Sequence, residues 1–127
     1  MSTIGAASRS FGSPDEQIDK GRVHIEVVDL GEFKVKRQTY PAGWRFSTDM
    51  GQPRCSDTHV GYVLSGHVHV VLEGGEELDI RSGDVFVIPP GHDAWTVGDE
   101  PCVMVQFDEG PSASQRFNVG SRTARAA

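Results

Sequence analysis

Between residues 23 and 108 the chain reads as short runs of Val, Ile, Phe and Tyr in which apolar and polar positions alternate. Gly, Pro and Asp break these runs about every eight to twelve residues, a spacing typical of all-β chains. Alternation with period two marks strands that bury one face, because successive side chains leave a strand on opposite sides. The pattern predicts strands near 23–29, 33–40, 44–47, 58–64, 67–72, 77–80, 84–88, 94–97 and 102–108. Glu73-Gly-Gly-Glu76 and Arg81-Ser-Gly-Asp84 predict tight turns, since glycine supplies positive φ at little steric cost. No apolar period of helical spacing is long enough to cover a sheet face, and no internal repeat is visible. An all-β, single-domain barrel follows, because closing or stacking the sheets protects strand edges.

Residues 1–20 are rich in Ser, Gly and Ala without a sustained apolar period and predict a flexible N-terminal arm, with Phe11 and Ile18 as anchoring points. The barrel is expected over 21–110. Residues 111–127, whose charges are Arg116, Arg122 and Arg125, read as a C-terminal tail.

At 127 residues with 37% hydrophobic side chains, the chain suffices for one core. It holds no run of membrane-spanning length, and its first twenty residues lack a secretory apolar segment, so a cytoplasmic protein with no membrane partner is expected. A net charge of −6 argues against a nucleic-acid partner, and the basic cluster at 34–37 reads as the solvated face of a strand. Cys55 and Cys102 form no CxxC pair and read as reduced thiols.

The stretch Gly83-Asp-Val-Phe-Val-Ile-Pro-Pro-Gly-His-Asp-Ala-Trp95 resembles the second motif of the cupin superfamily, which runs Gly, five residues, Pro-x-Gly, two residues and a metal-binding His. Gly83, Pro89 and Gly91 fall in register, and Ala94 stands at the ligand position. The first cupin motif, His-x-His, three or four residues, Glu, six residues, Gly, closes on Gly66 in Tyr62-Val-Leu-Ser-Gly66. That register puts His59 at the Glu position and Pro53 and Cys55, or Gln52 and Arg54, at the His positions. None of the four usual ligands is present in its usual chemical form. The resemblance covers about residues 40–108 and implies a small cupin of the cupin 2 conserved-barrel type. Such a protein is a jelly-roll-like barrel of antiparallel strands that binds a small molecule and often forms a homodimer.

In this register Cys55, Asp57 and His59 share the inward face if 55–59 is extended, and His92 shares the inward direction of position 94. Cys55, His59 and His92 are therefore candidate metal ligands. A thiolate with two imidazoles suits Zn²⁺, whereas His59, His92 and Asp57 or Asp93 would better match Fe²⁺, and Mn²⁺ is a third candidate. Without metal, His59 beside Asp57 can act as an acid or base, as a His–Asp pair does in some cupin-like sugar epimerases. The same residues also fit a plainer assignment, with Cys55 a small buried apolar group, His59 a hydrogen-bonded barrel histidine and His92 a turn residue. Along an extended strand the offset from Cys55 to His59 is roughly 13 Å. Either a Cys–His pair or a joint metal site therefore needs a bulge or turn at 56–58.

His67 and His69 are expected to face outward, toward solvent or a second subunit, because Val68 and Val70 take the inward positions. His24 is isolated. Trp44, Phe46, Tyr62, Phe86 and Trp95 read as strand-packing aromatics, with Trp44 and Trp95 nearest the barrel mouth. Arg45 and Arg54 are candidate partners for an anionic ligand. The chain lacks a phosphate-cradling glycine loop, a GxSxG elbow and an HExxH helix. The expected function is binding of a small molecule in the barrel, with metal-dependent oxygenation, isomerisation or elimination in which His59, His92 and Asp57 are the catalytic candidates. The alternative is a non-catalytic ligand-binding or sensory barrel without metal.

Overall fold

The computed structural model describes residues 5–109; the expected C-terminal tail, 111–127, lies outside the described residues. The alternating runs form β2 (Val23–Asp29), β3 (Phe33–Tyr40), β4 (His59–Ser65), β5 (His67–Leu72), β6 (Glu77–Arg81), β7 (Val85–Ile88), β8 (His92–Thr96) and β9 (Cys102–Glu109), preceded by β1 (Glu16–Lys20). All pair antiparallel, in a six-stranded sheet of order β1-β2-β3-β9-β4-β7 and a three-stranded sheet of order β6-β5-β8. The β3–β9 and β4–β9 pairings join strands distant in sequence, and the two sheets face each other as a jelly-roll barrel. Among the described residues no helix is long and apolar enough to cross a membrane.

Period-two alternation places the core. Val68 and Val70 of β5, Ile80 of β6, Phe86 and Ile88 of β7, Val63 of β4 and Met104 of β9 all point between the sheets and are buried. His67 and His69 take the opposite face of β5, as expected, where Asp79 of β6 accepts from His67 Nε2 at 2.7 Å and His69 Nδ1 at 2.9 Å. His69 Nε2 donates to Glu77 at 2.6 Å, and its ring lies 4.9 Å from that of Trp95. Hydrogen bonds from His69 and then His67 pull the Asp79 carboxyl down to about 2, and Asp79 in turn raises His69 above its ordinary value. Trp95 thus belongs to the outer surface, where the Arg45 guanidinium covers it at 4.5 Å. Trp44, by contrast, is buried.

Both predicted glycine turns are present. Gly75 N–H donates to Leu72 O, and Asp84 N–H to Arg81 O, each at 2.9 Å. Two further glycines answer to close backbone approach. A Cβ on Gly61 would lie 2.2 Å from Val105 O across the β4–β9 ladder. One on Gly66, at φ +88°, would lie 2.5 Å from Pro101 O and 2.6 Å from Cys102 Cα. The closing glycine of the first motif is therefore where the β4–β5 turn passes against the start of β9.

Two stretches depart from the expected pattern. Residues 44–47 do not form a strand: Arg45 makes a single bridge to Trp95, and one helical turn follows, α1 (Phe46–Asp49). Asp49 Oδ2 accepts from Arg45 N–H at 2.8 Å, and Asp93 Oδ1 accepts from Ser47 N–H at 3.0 Å, so carboxylates satisfy the amides that a strand would have paired with backbone. Within the segment expected as an arm, residues 16–20 pair with β2 through a two-residue turn in which Gly21 and Arg22 both have positive φ. β1 buries none of its side chains, so it carries no apolar signal. Farther upstream, Phe11 sits under the Arg37 guanidinium at 4.9 Å.

Gly66→Ala is expected to cost about 3 kcal/mol, from positive φ plus overlap with β9 backbone. Gly31→Ala, at φ +95° with nothing within 4 Å of the new Cβ, should cost about 1 kcal/mol. Urea denaturation of the two variants measures the difference, and equal losses would show that the contact with β9 is not tight.

Candidate functional site

A cavity of about 560 Å³ opens between the sheets. Sheet parity makes its walls unlike each other. The three-stranded sheet contributes Val68, Val70, Ile80 and Ala94, whereas β3, β4 and β9 send in Lys36, Gln38, Tyr40, His59, Gln106 and Asp108. With Val23, Ile25, Ile88 and Met104 also entering from the six-stranded sheet and His92 from the other, the pocket is mainly apolar with convergent polar groups, the usual make-up of a small-molecule site.

At its floor Cys55 Sγ and ring nitrogens of His59 and His92 lie within 4.8 Å of one another. Three local features bring them together. Cys55 pairs with the start of β8, its N–H donating to His92 O at 2.8 Å while its O accepts from Gly91 N–H at 2.7 Å. Residues 56–58 then turn rather than extend, and β4 begins at His59. The expected separation of roughly 13 Å along a strand is thereby replaced by a contact of 3.4 Å between Cys55 Sγ and His59 Nε2. His92, buried at 4% exposure, enters from β8 with its ring centroid 5.1 Å from that of His59.

Hydrogen bonds fix how both rings present themselves. His92 Nδ1–H donates to Pro89 O at 2.7 Å, which leaves Nε2 as the lone-pair nitrogen. His59 Nδ1–H donates to Gln106 Oε1 at 2.8 Å, and the Gln106 amide donates in turn to Tyr40 Oη at 3.2 Å. Tyr40 donates its hydroxyl proton to Gln38 Oε1, completing a chain from β4 through β9 to β3. Burial pushes the Tyr40 hydroxyl pKa well up, so it stays a donor. Burial likewise raises the Cys55 thiol, whereas it lowers His59, with the neighbouring His92 adding to that effect. Both shifts disfavour the thiolate–imidazolium pair that a Cys–His nucleophile requires.

The remaining expected site residues distribute as follows. Asp57 lines the cavity and is exposed; both ring nitrogens of His59 are engaged by Cys55 and Gln106, so no His59–Asp57 pair forms. Asp93 faces away, bonded to Arg45 at 2.8 Å and to the N–H groups of Ser47 and Ala94. Its pKa is lowered: burial pushes up, and the Arg45 and Ser47 hydrogen bonds outweigh it. Arg45 is thus taken by Asp93, and Arg54 reaches Val71 O at 3.5 Å; neither lines the cavity. The cationic lining comes instead from Lys20 of β1 and Lys36 of β3. Lys36 lay in a cluster read as solvated and Lys20 in a segment read as an arm. Only the parity of Lys36 with Gln38 and Tyr40 offered a sequence signal.

Comparisons with known proteins agree with this architecture. Ectoine synthase from P. lautus superposes with a TM-score of 0.65 at 14% identity, covering 90% of this chain and 86% of that one. A cupin 2 conserved barrel domain protein from Salinispora arenicola gives 0.60 at 16% identity, covering 90% and 98%. Lactobacillus farciminis oxalate decarboxylase, in a formate complex, gives 0.59 at 16% identity, covering 87% of this chain and 40% of that one. At such identities the likeness is one of fold. No curated protein matches the sequence. The model of the EutQ-like cupin domain matches residues 34–109, from the start of β3 to the end of β9, and the chain belongs to that cupin family.

Proposed function

We propose that this protein is a small-molecule enzyme whose centre is a Zn²⁺ ion held by Cys55 Sγ, His59 Nε2 and His92 Nε2, catalysing isomerisation or elimination. The observation that carries this reading is the convergence of the three donor atoms within 4.8 Å at the floor of the cavity. Tetrahedral zinc sets neighbouring sulfur and nitrogen ligands about 3.4–3.6 Å apart, and the Cys55–His59 contact already has that length at 3.4 Å. Each imidazole has its Nδ1–H committed to an oxygen, the outer hydrogen bond that orients metal-ligating histidines. A sulfur donor and the absence of a carboxylate from the cluster favour zinc over iron or manganese. When bound, such an ion would supply Lewis acidity to a ligand in the cavity. Asp57, exposed at the cavity wall, is the carboxylate placed to exchange a proton with a ligand.

Elemental analysis by mass spectrometry of protein purified without a metal-affinity tag tests the centre. Near-stoichiometric zinc is expected in the wild type, falling to background in Cys55→Ser, His59→Ala and His92→Ala. Gln106→Leu should retain the fold but bind zinc about ten- to a hundredfold more weakly, because it frees the His59 ring. Wild-type protein that stays metal-free after supplementation with zinc, iron and manganese would refute the centre and leave a ligand-binding barrel.

We also propose a homodimer through the outer face of β4, β7 and β9. Val60, Tyr62, Leu64, Val85, Val87 and Phe107 all point outward there with at least 40% exposure, an apolar strip of the kind that marks a contact surface. Sedimentation equilibrium should find a dimer that Val85→Lys converts to monomer. A wild type that is monomeric at every concentration would contradict it.

A further inference from the structure

Four charged side chains line the cavity besides the Cys55, His59 and His92 cluster: Lys20, Lys36, Asp57 and Asp108. Two of them cancel, since Lys36 Nζ lies 2.6 Å from Asp108 Oδ2. Lys20 and Asp57 have no ion-pair partner among the described residues. They reach the cavity from different elements, Lys20 as the last residue of β1 and Asp57 from the turn that follows Cys55. The other polar groups on that wall are neutral, chiefly the amides of Gln38, Gln52 and Gln106. The fields of Lys20 and Asp57 both reach the floor, where they act on Cys55 with opposite sign.

A ligand entering this space displaces water from one unpaired cation and one unpaired anion. Both side chains are exposed, so a ligand with a single charge would engage one of them and leave the other to water, forgoing the second ion pair. An uncharged ligand would compensate neither. A molecule bearing both charges on an apolar spacer engages both, and the cavity offers that spacer the apolar side chains of Val68 and Val70.

We infer that the ligand of this cavity is a zwitterionic amino carboxylate, with its carboxylate toward Lys20 and its ammonium group toward Asp57. The inference rests on the proposed reading of the cavity as a small-molecule site and is independent of which metal, if any, occupies its floor.

Isothermal titration calorimetry of the full chain, zinc-loaded and after chelator treatment, provides the test. The probes are ω-amino carboxylates from glycine to 6-aminohexanoate, each set against the straight-chain carboxylate and the straight-chain amine of matching length. An amino carboxylate of one length should bind at least about fivefold more tightly than either singly charged analogue, the discrimination expected for about 1 kcal/mol per partly exposed charge pair. Lys20→Gln should abolish its advantage over the amine, and Asp57→Asn its advantage over the carboxylate, with circular dichroism unchanged in both. A simple carboxylate that binds as tightly as the amino carboxylate and is indifferent to Asp57→Asn would overturn the inference, as would the absence of binding by every probe. Zinc titration of the same samples separates the two proposals. Zinc uptake without charge preference counts against the zwitterionic ligand alone, whereas charge preference without zinc uptake counts against the metal centre alone.

Discussion

Two backbone hydrogen bonds, from Cys55 N–H to His92 O and from Gly91 N–H to Cys55 O, tie the segment before β4 to the start of β8. They belong to neither main sheet, yet they decide what the cavity floor contains. With Cys55 pinned there, the three residues before His59 must turn, and Cys55 Sγ meets a histidine that an extended strand would have carried far away. Gly91, at φ +89°, supplies the bend that presents its N–H to Cys55 and sends His92 into the barrel. The cluster is thus a consequence of how two chain segments join.

The polar wall opposite depends on a second constraint. Buried polar groups must be paired, and Gln106, Tyr40 and Gln38 satisfy one another while giving the first of them an oxygen to aim at His59. Each lies on a different strand or turns inward by parity, so the β3–β9–β4 pairing register fixes the orientation of an imidazole two strands away. Replacing Gln106 by an apolar residue would leave the His59 Nδ1–H without its acceptor and Tyr40 Oη without the amide that donates to it, while Tyr40 would still donate to Gln38. Fold and site are therefore coupled through hydrogen-bond direction as well as through packing.

Most of the barrel was legible in the sequence, and for identifiable reasons. Strands with one buried face, such as β5 with Val68 and Val70 inward and His67 and His69 outward, announce themselves by alternation. Glycines at Gly66, Gly75 and Gly83 mark turns because their backbone requires positive φ. β1 was not legible, since an edge strand that buries nothing has no apolar period, and the turn at 46–49 was hidden because its amides are satisfied by side chains of Asp49 and Asp93. At the site, the residues Cys55, His59 and His92 could be named from the motif register, but their joint geometry depended on a turn that the motif does not specify. Lys20 escaped notice for the same reason as its strand, and the engagement of Arg45 by Asp93 was not legible because the two are remote in sequence.

The central claim is that Cys55, His59 and His92 together form one metal centre with a thiolate donor. Cobalt substitution addresses it most directly, because Co²⁺ reports donor type and geometry in its absorption spectrum. The account predicts intense visible bands of four-coordinate cobalt together with a near-ultraviolet thiolate-to-cobalt band, the latter lost in Cys55→Ser and both lost in His59→Ala. A spectrum of weak octahedral bands without the thiolate transition, identical in wild type and Cys55→Ser, would contradict it.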